Sequence, residues 1–207
     1  MVKRTALVLY LLIFWLWCEA VGQTTGPSTD SSAIVPLKVG YTWKGTLSNF
    51  QGSDSSKTTN DIFIKQVEQI GGESWYRWGY VTNGDSSAAS GMFANRSDGL
   101  WATYIHTSDT GLVLDHPMLW LKFPVALHAE YEGGIEETIK VLSIDTLVTT
   151  PAGTFHCICY LSIDPQDANS TGVLMYVSPG IGWVQKVALG RFQPDVLWKW
   201  QLTEFIR

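Results

Sequence analysis

Apolar and polar residues alternate in short runs along most of this 207-residue chain, and no window carries a long apolar stripe with a 3.6-residue period. Alternation places successive side chains on opposite faces of an extended strand, whereas such a stripe would indicate an amphipathic helix. The clearest alternating runs lie between Asp145 and Lys186, around turns at 151–153 and 178–182 that contain proline and glycine. Proline pre-sets the first turn angle, and glycine tolerates the backbone angles that tight turns require.

Turn residues separate the alternating runs at regular intervals, so we predict about eleven or twelve short strands. Gly71-Gly72 and Asp98-Gly99 are typical two-residue hairpin connections. Gly111 to Asp115 and Leu119 to Phe123 are predicted as two separate short strands, and Val196 to Ile206 as the last strand. The predicted fold class is all-β and mainly antiparallel, a half-open barrel or a sandwich with little helix.

Residues 1–22 have the pattern of a secretory signal peptide. Lys3 and Arg4 precede an unbroken apolar run that ends at Trp17, which is shorter than the roughly 20 apolar residues that a transmembrane helix needs. Cleavage is predicted after Gly22, with a cut after Ala20 as the alternative. The chain is therefore expected to be extracytoplasmic, in the periplasm, at the cell surface or secreted.

Lipid attachment at Cys18 stays an open alternative, although bulky residues stand where a bacterial lipobox has small ones. Residues 23–33 are rich in Thr, Ser, Gly and Pro and are predicted as a flexible linker. The remaining 34–207 has the length of one domain and can bury a core of its own. We therefore predict a single antiparallel β domain there, which associates with a membrane only if Cys18 is lipidated or the signal stays uncleaved.

Net charge argues against two classes of partner. The formal charge is −5, and removal of 1–22, with Lys3, Arg4 and Glu19, makes it −6. No basic run with interleaved aromatic residues occurs, so nucleic acid is not expected as a partner, because its binding depends on neutralised phosphates. An acidic surface also disfavours anionic headgroups.

Cys157 and Cys159 are the cysteines left after signal removal, and they stand two apart in one predicted strand. Their Cα atoms would be nearly 7 Å apart, at the limit for a disulfide, so we predict buried free thiols. A metal site has little support. His156 points to the face opposite the cysteines, and the other histidines stand singly in the sequence. His128 and Glu130 would provide at most two metal ligands on one strand face. No cofactor and no metal are predicted.

No catalytic constellation stands out in the sequence. Glu130, Glu132, Glu136 and Glu137 cluster around a Gly-Gly turn, and two carboxylates facing each other across a sugar can hydrolyse a glycosidic bond. An acidic hairpin rim more commonly discourages edge-to-edge strand pairing. There is also no G-x-S-x-G motif. We therefore predict that the protein is not an enzyme.

Four segments carry a family resemblance: Val35–Trp43 (VPLKVGYTW), Asn95–Trp101 (NRSDGLW), Thr149–Cys157 (TTPAGTFHC) and Tyr176–Trp183 (YVSPGIGW). Together they resemble an uncharacterised family of bacterial extracytoplasmic proteins with the motifs P-L-x-V-G-x-x-W, P-A-G-T-F-x-C and P-G-[VI]-G. The resemblance implies a relation in fold to the single-sheet, half-open barrels of periplasmic lipoprotein carriers. Because the shared motifs consist of turn and packing residues, it implies no catalytic residue here.

The aromatic content is the main functional signal. Eight of the ten tryptophans lie after the predicted signal, and both faces of the run from Trp75 to Tyr80 carry large rings. One set is expected in the core and the other on the outer surface of the sheet. Alternatively, one face lines a groove for an apolar small molecule or a partner protein of the envelope. The candidate ligand-binding residues are Trp75, Trp78, Tyr80, Trp101, Trp198 and Trp200.

Two further hypotheses remain open. In a carbohydrate-binding β-module, exposed coplanar rings such as Trp75 or Trp101 would stack on sugars. A purely structural envelope component would have no cavity at all. The alternation alone does not distinguish a closed barrel, a half-open barrel and a sandwich.

Overall fold

The computed structural model describes residues 33–50, 55–108, 111–133, 137–164, 170–190 and 196–207. The predicted signal peptide at 1–22 and all of the predicted linker except Ala33 lie outside these ranges. The described strands are β1 (Thr42–Asn49), β2 (Ser56–Ile70), β3 (Glu73–Thr82), β4 (Asp85–Arg96), β5 (Gly99–Ser108), β6 (Gly111–Lys122), β7 (Glu130–Gly133), β8 (Glu137–Thr150), β9 (Gly153–Ile163), β10 (Ser170–Ser178), β11 (Gly182–Gly190) and β12 (Val196–Ile206). Among the described residues, no helix is long and apolar enough to cross a membrane.

All twelve strands belong to one antiparallel sheet with the order β6-β5-β4-β3-β2-β1-β12-β11-β10-β9-β8-β7. Consecutive strands are therefore hydrogen-bonded neighbours, except β6 and β7, which lie at opposite ends of the order. At the centre, β1 pairs with β12 from Thr42↔Ile206 to Asn49↔Trp198. The sheet curls into a nearly closed barrel whose two edges are β6 and β7. The all-β prediction is confirmed, and the single sheet makes the structure a barrel rather than a sandwich.

Side-chain hydrogen bonds join the two edges at one end of the barrel. The Tyr131 hydroxyl of β7 accepts a hydrogen bond from the Lys122 amide of β6 (3.0 Å) and donates one to the Trp120 carbonyl (3.3 Å). The Tyr160 hydroxyl donates to the Lys122 carbonyl at 2.8 Å. Burial raises the pKa of Tyr131 to about 12, so this hydroxyl keeps its proton and remains a donor.

Glycine-containing turns set the hairpins as the sequence predicts. Gly71 and Gly72 join β2 to β3 with φ angles of 62° and 82°, and positive φ at both central residues suits the right-handed twist of the flanking strands. The prediction of two strands over 111–123 is wrong, because one irregular strand, β6, runs from Gly111 to Lys122. His116, with a φ of 46°, lies where the pairing with β5 shifts, so the strand bulges instead of ending.

Candidate functional site

One end of the barrel is plugged by aromatic rings. Trp43 and Trp183 are fully buried and meet edge to face, with their ring centroids 5.0 Å apart. Phe93 stacks between Trp78 and Trp120 at 5.5 and 5.2 Å and lies 5.6 Å from Trp183. These rings extend the packing across the lumen as a conventional core, and Trp78, Phe93 and Trp120 form its boundary with the cavities described below.

The segment before β1 seals the same end. Ile34 and Val35 are buried, and the Val35 carbonyl accepts a hydrogen bond from the Asn95 side chain at 2.9 Å. The indole N–H of Trp43 donates to the Ile181 carbonyl at 2.5 Å. The P-L-x-V-G-x-x-W and P-G-I-G segments therefore meet here as packing and turn elements.

The opposite end of the lumen holds a cavity of about 320 Å³. It lies near the strand ends at Asn49 and Thr82. Its apolar and aromatic lining residues are Leu47, Ile62, Trp78, Tyr80, Trp198 and Trp200, and its three polar lining residues are Asn49, Asn60 and Lys186. This volume is at the lower end of the range of about 300–1,000 Å³ that is usual for small-molecule pockets. The lining therefore suits a slender apolar molecule.

The Trp200 ring is fixed in the cavity wall by its neighbours in β1 and β2. It lies so close over Gly45 that a Cβ at that position would overlap the indole, and its N–H donates to the Asn60 carbonyl at 2.8 Å. Glycine is needed at position 45 for lack of space, not for an unusual φ angle. The wall is thus preorganised rather than loose.

A second cavity of about 360 Å³ adjoins the first, and Trp78 lines both. Its walls include Phe93, Met118 and Trp120, and carboxylates of Glu137 and Asp164 stand among its lining residues. Glu137 accepts a hydrogen bond from the Ser162 hydroxyl at 2.7 Å. This end of the lumen therefore contains two neighbouring cavities, of which the first is mainly apolar and the second also has carboxylates in its wall.

Lys186 is the cationic residue of the first cavity. Its ammonium lies over the ring faces of Trp183 and Trp120, 5.1 and 5.6 Å from the ring centroids. It forms no ion pair with any carboxylate in the described ranges. Burial lowers the pKa of Lys186 from 10.5 to about 8, so at neutral pH the side chain still carries its charge in most molecules.

Four of the six predicted ligand-binding residues lie together. Trp78 and Tyr80 of β3 and Trp198 and Trp200 of β12 all line the 320 Å³ cavity. Trp200 is buried, whereas Tyr80, two residues from the end of β3, is 38% exposed. The structure thus places these rings from two distant parts of the chain around one space.

Trp75 and Trp101, the other two predicted residues, belong to a separate cluster on the other face of the sheet. Trp75 has no exposed surface. The Arg96 guanidinium covers Trp101 at 4.1 Å and pairs with Glu73 at 2.7 Å. The hydrogen bond from Arg96 is the main cause that lowers the pKa of Glu73. The exposed ring that the carbohydrate-binding hypothesis requires is therefore not found at Trp75, which is buried.

Sequence reasoning missed Lys186, because a lone lysine in an alternating run looks like a solvated side chain. Trp183 and Lys186 are three positions apart, which in a regular strand would place them on opposite faces. The pairing of β11 with β10 shifts between Tyr176 and Val177, and this bulge turns both side chains into the lumen. No feature of the sequence marks that bulge.

The two cysteines of β9 are buried and free, as predicted. Burial raises the pKa of Cys157 to about 12 and also raises that of Cys159. In the described part of the chain, no group of three or more His, Cys, Asp or Glu side chains could hold a metal ion. Within the predicted acidic rim, Glu130 pairs with Lys140 at 3.1 Å, and Glu136 lies outside the described residues.

Two solved structures share the fold. One is a presumed exported protein from Bacteroides fragilis with a YmcC-like fold, which is 12% identical, covers 85% of this chain and 100% of its own, and has a TM-score of 0.53. The other, a presumed lipoprotein from Parabacteroides distasonis, is 13% identical, covers 86% of this chain and 100% of its own, and has a TM-score of 0.50. No protein-family model and no curated protein matches the sequence. At this identity the likeness concerns the fold alone.

Proposed function

We propose that this chain is an exported bacterial envelope protein whose barrel lumen binds an apolar small molecule without catalysing a reaction. The observation that carries the proposal is the cavity of about 320 Å³ between Trp78, Tyr80, Trp198 and Trp200. Protein interiors are normally packed to the density of organic crystals, and the other end of this barrel is packed in that way. A preorganised apolar space at one end is the usual form of a ligand site.

Export is supported by the signal-like pattern of residues 1–22 and the polar run that follows. The two fold neighbours, described as exported and as a lipoprotein, agree with a location outside the cytoplasm. A relation to lipoprotein carriers, which the sequence motifs suggest, would fit a lumen that takes up apolar molecules. The site would then be shielded from water within the barrel.

The aromatic clusters also bear on the alternatives. A carbohydrate module would need exposed, coplanar rings, but Trp75 is buried and Arg96 covers the face of Trp101. A purely structural component would need no cavity. The alternative of an envelope protein that docks at the cavity end of the barrel is distinguished from small-molecule binding by the ligand experiment below.

The proposal is tested by native mass spectrometry of the mature protein, purified from its own envelope, followed by solvent extraction of bound material. We expect an adduct that extracts as an apolar compound. The extracted protein should then bind the neutral dye Nile red, with a rise in dye fluorescence. A clean mass together with no dye binding would contradict the proposal.

A matched pair of variants locates the site. Trp198→Ala removes a ring of the cavity wall, and Trp101→Ala removes a partly buried ring on the other face. We expect Trp198→Ala to weaken Nile red binding about tenfold, because truncation of a central aromatic anchor commonly costs more than 1 kcal/mol. Trp101→Ala should leave binding unchanged. Equal effects of both variants would place the dye elsewhere.

A further inference from the structure

The proposed apolar site contains one feature that a purely apolar ligand does not explain. Lys186 projects into the 320 Å³ cavity, and its ammonium is held over the faces of Trp183 and Trp120. Lysine is almost never buried without a partner, because desolvation of the charge is costly. None of the described carboxylates pairs with it. Within the described part of the chain, the cavity thus offers a positive charge without a paired carboxylate, beside an apolar wall.

A further hydrogen-bond donor lies in the surroundings of Lys186. The indole N–H of Trp183 is buried and has no hydrogen-bond acceptor among the described residues, although the residue is only 1% exposed. Its ring centroid lies 5.1 Å from the Lys186 ammonium. Buried donors are nearly always paired in folded proteins. Trp183 is not among the residues that line the cavity, so the donor that a ligand in the cavity would meet is the Lys186 ammonium, which is complemented by a group that only accepts hydrogen bonds.

The geometry points to a single-chain aliphatic carboxylic acid as the ligand, with its carboxylate on Lys186 and its chain along the aromatic wall. This inference rests on the proposed function and specifies the class of molecule. One ammonium balances one carboxylate, and a cavity of about 320 Å³ is slender for a lipid with two chains. The chain would extend past Trp198 and Tyr80, which lie nearer the strand ends at Val196 and Thr82 than Trp200 does.

Contacts already present would orient the acid. The aromatic faces restrict the lysine side chain through cation–π attraction, so it loses little further freedom when a carboxylate arrives. A charge-assisted hydrogen bond formed away from water is stronger than one at the surface. The described lining of the other cavity includes the carboxylates Glu137 and Asp164 but no lysine or arginine, so an acid would find no cationic partner there. The combination favours the carboxylate at Lys186.

The experiment compares two probes with the same chain, palmitate and 1-hexadecanol, on the delipidated mature protein. Displacement of Nile red gives both affinities below the concentration at which the probes aggregate. Three proteins are used: wild type, Lys186→Met, and Lys199→Met as the matched control. Lys199 lies in β12 beside Trp200 and therefore points to the other face of the sheet.

We expect wild type and Lys199→Met to bind palmitate about 10- to 100-fold more tightly than hexadecanol, as a charge-assisted hydrogen bond predicts. In Lys186→Met this preference should disappear through loss of palmitate affinity alone. Equal binding of both probes to wild type, or an unchanged preference in Lys186→Met, would overturn the inference and leave the proposed function standing. Failure of wild type to bind either probe would overturn both.

Discussion

Replacement of Lys186 by Met should make the ligand-free protein more stable. The two side chains have similar stems, so the main change is the loss of a charge from a partly dehydrated site. Burial lowers the pKa of Lys186 from 10.5 to about 8, and each pH unit of such a shift corresponds to 1.36 kcal/mol. The charged lysine therefore costs up to about 3 kcal/mol, and Lys186→Met should gain about 2–3 kcal/mol in unfolding free energy at pH 7.

The gain should depend on pH in a defined direction. Below pH 8 both the folded and the unfolded protein hold the lysine proton, so the whole cost is present. Between pH 8 and 10.5 the unfolded state holds more protons than the folded one, and wild-type stability rises relative to the variant. The difference between the two proteins should therefore shrink at alkaline pH.

Guanidinium unfolding followed by tryptophan fluorescence at pH 7 and pH 10 measures both effects. Other titrating groups of the lumen, namely Tyr80, Glu137 and Asp164, are common to both proteins and cancel in the comparison. Lys199→Met controls for the loss of any lysine. A Lys186→Met variant that is no more stable than wild type at pH 7 would refute the reasoning, since it would mean that the ammonium is already compensated.

Further predictions concern packing, the thiols and the barrel edges. Gly45→Ala should cost about 1–3 kcal/mol in stability and shift tryptophan fluorescence, because the new methyl group displaces Trp200; an unchanged spectrum and denaturation midpoint would contradict this. The thiols of β9, with the pKa of Cys157 raised to about 12, should resist a disulfide reagent at pH 8 until the protein is unfolded; reaction of the native protein within minutes would count against their burial. Tyr131→Phe should cost about 1–2 kcal/mol and speed hydrogen exchange of the Lys122 amide; unchanged exchange would show that this hydroxyl does not hold the edges together.

The strands were predictable because period-two patterning and turn chemistry are local properties. Val196 to Ile206 was predicted with the observed bounds of β12, and the hairpin at Gly71-Gly72 has the positive φ angles that two glycines favour. The sequence also predicted large rings on both faces of the run from Trp75 to Tyr80, and Trp75 and Trp78 belong to different hydrophobic clusters. These conclusions needed no knowledge of the rest of the chain.

The site was only partly predictable because its assembly is non-local. Because they are two positions apart in one strand, Trp198 and Trp200 are predicted on the same face of the sheet. Only the curl of the sheet determines that this face lines the lumen. The bulge in β11 that turns Lys186 inward depends on the register with β10. Similarly, β6 continues past His116 because β5 supplies partners on both sides of the irregularity.

The pairing of β1 with β12 has a consequence for how the protein folds. The sheet consists of two six-stranded meanders, and within each the hairpins close short loops. Their junction instead joins residues such as Lys44 and Glu204, 160 positions apart, and contacts of such separation carry the largest loop-closure entropy. Trp78 comes from one meander and Lys186 from the other, so a folding intermediate with both meanders formed but not joined would have no binding site. A ligand that binds only the joined state stabilises that state by mass action. An acid in the lumen would therefore favour the joining of the two meanders.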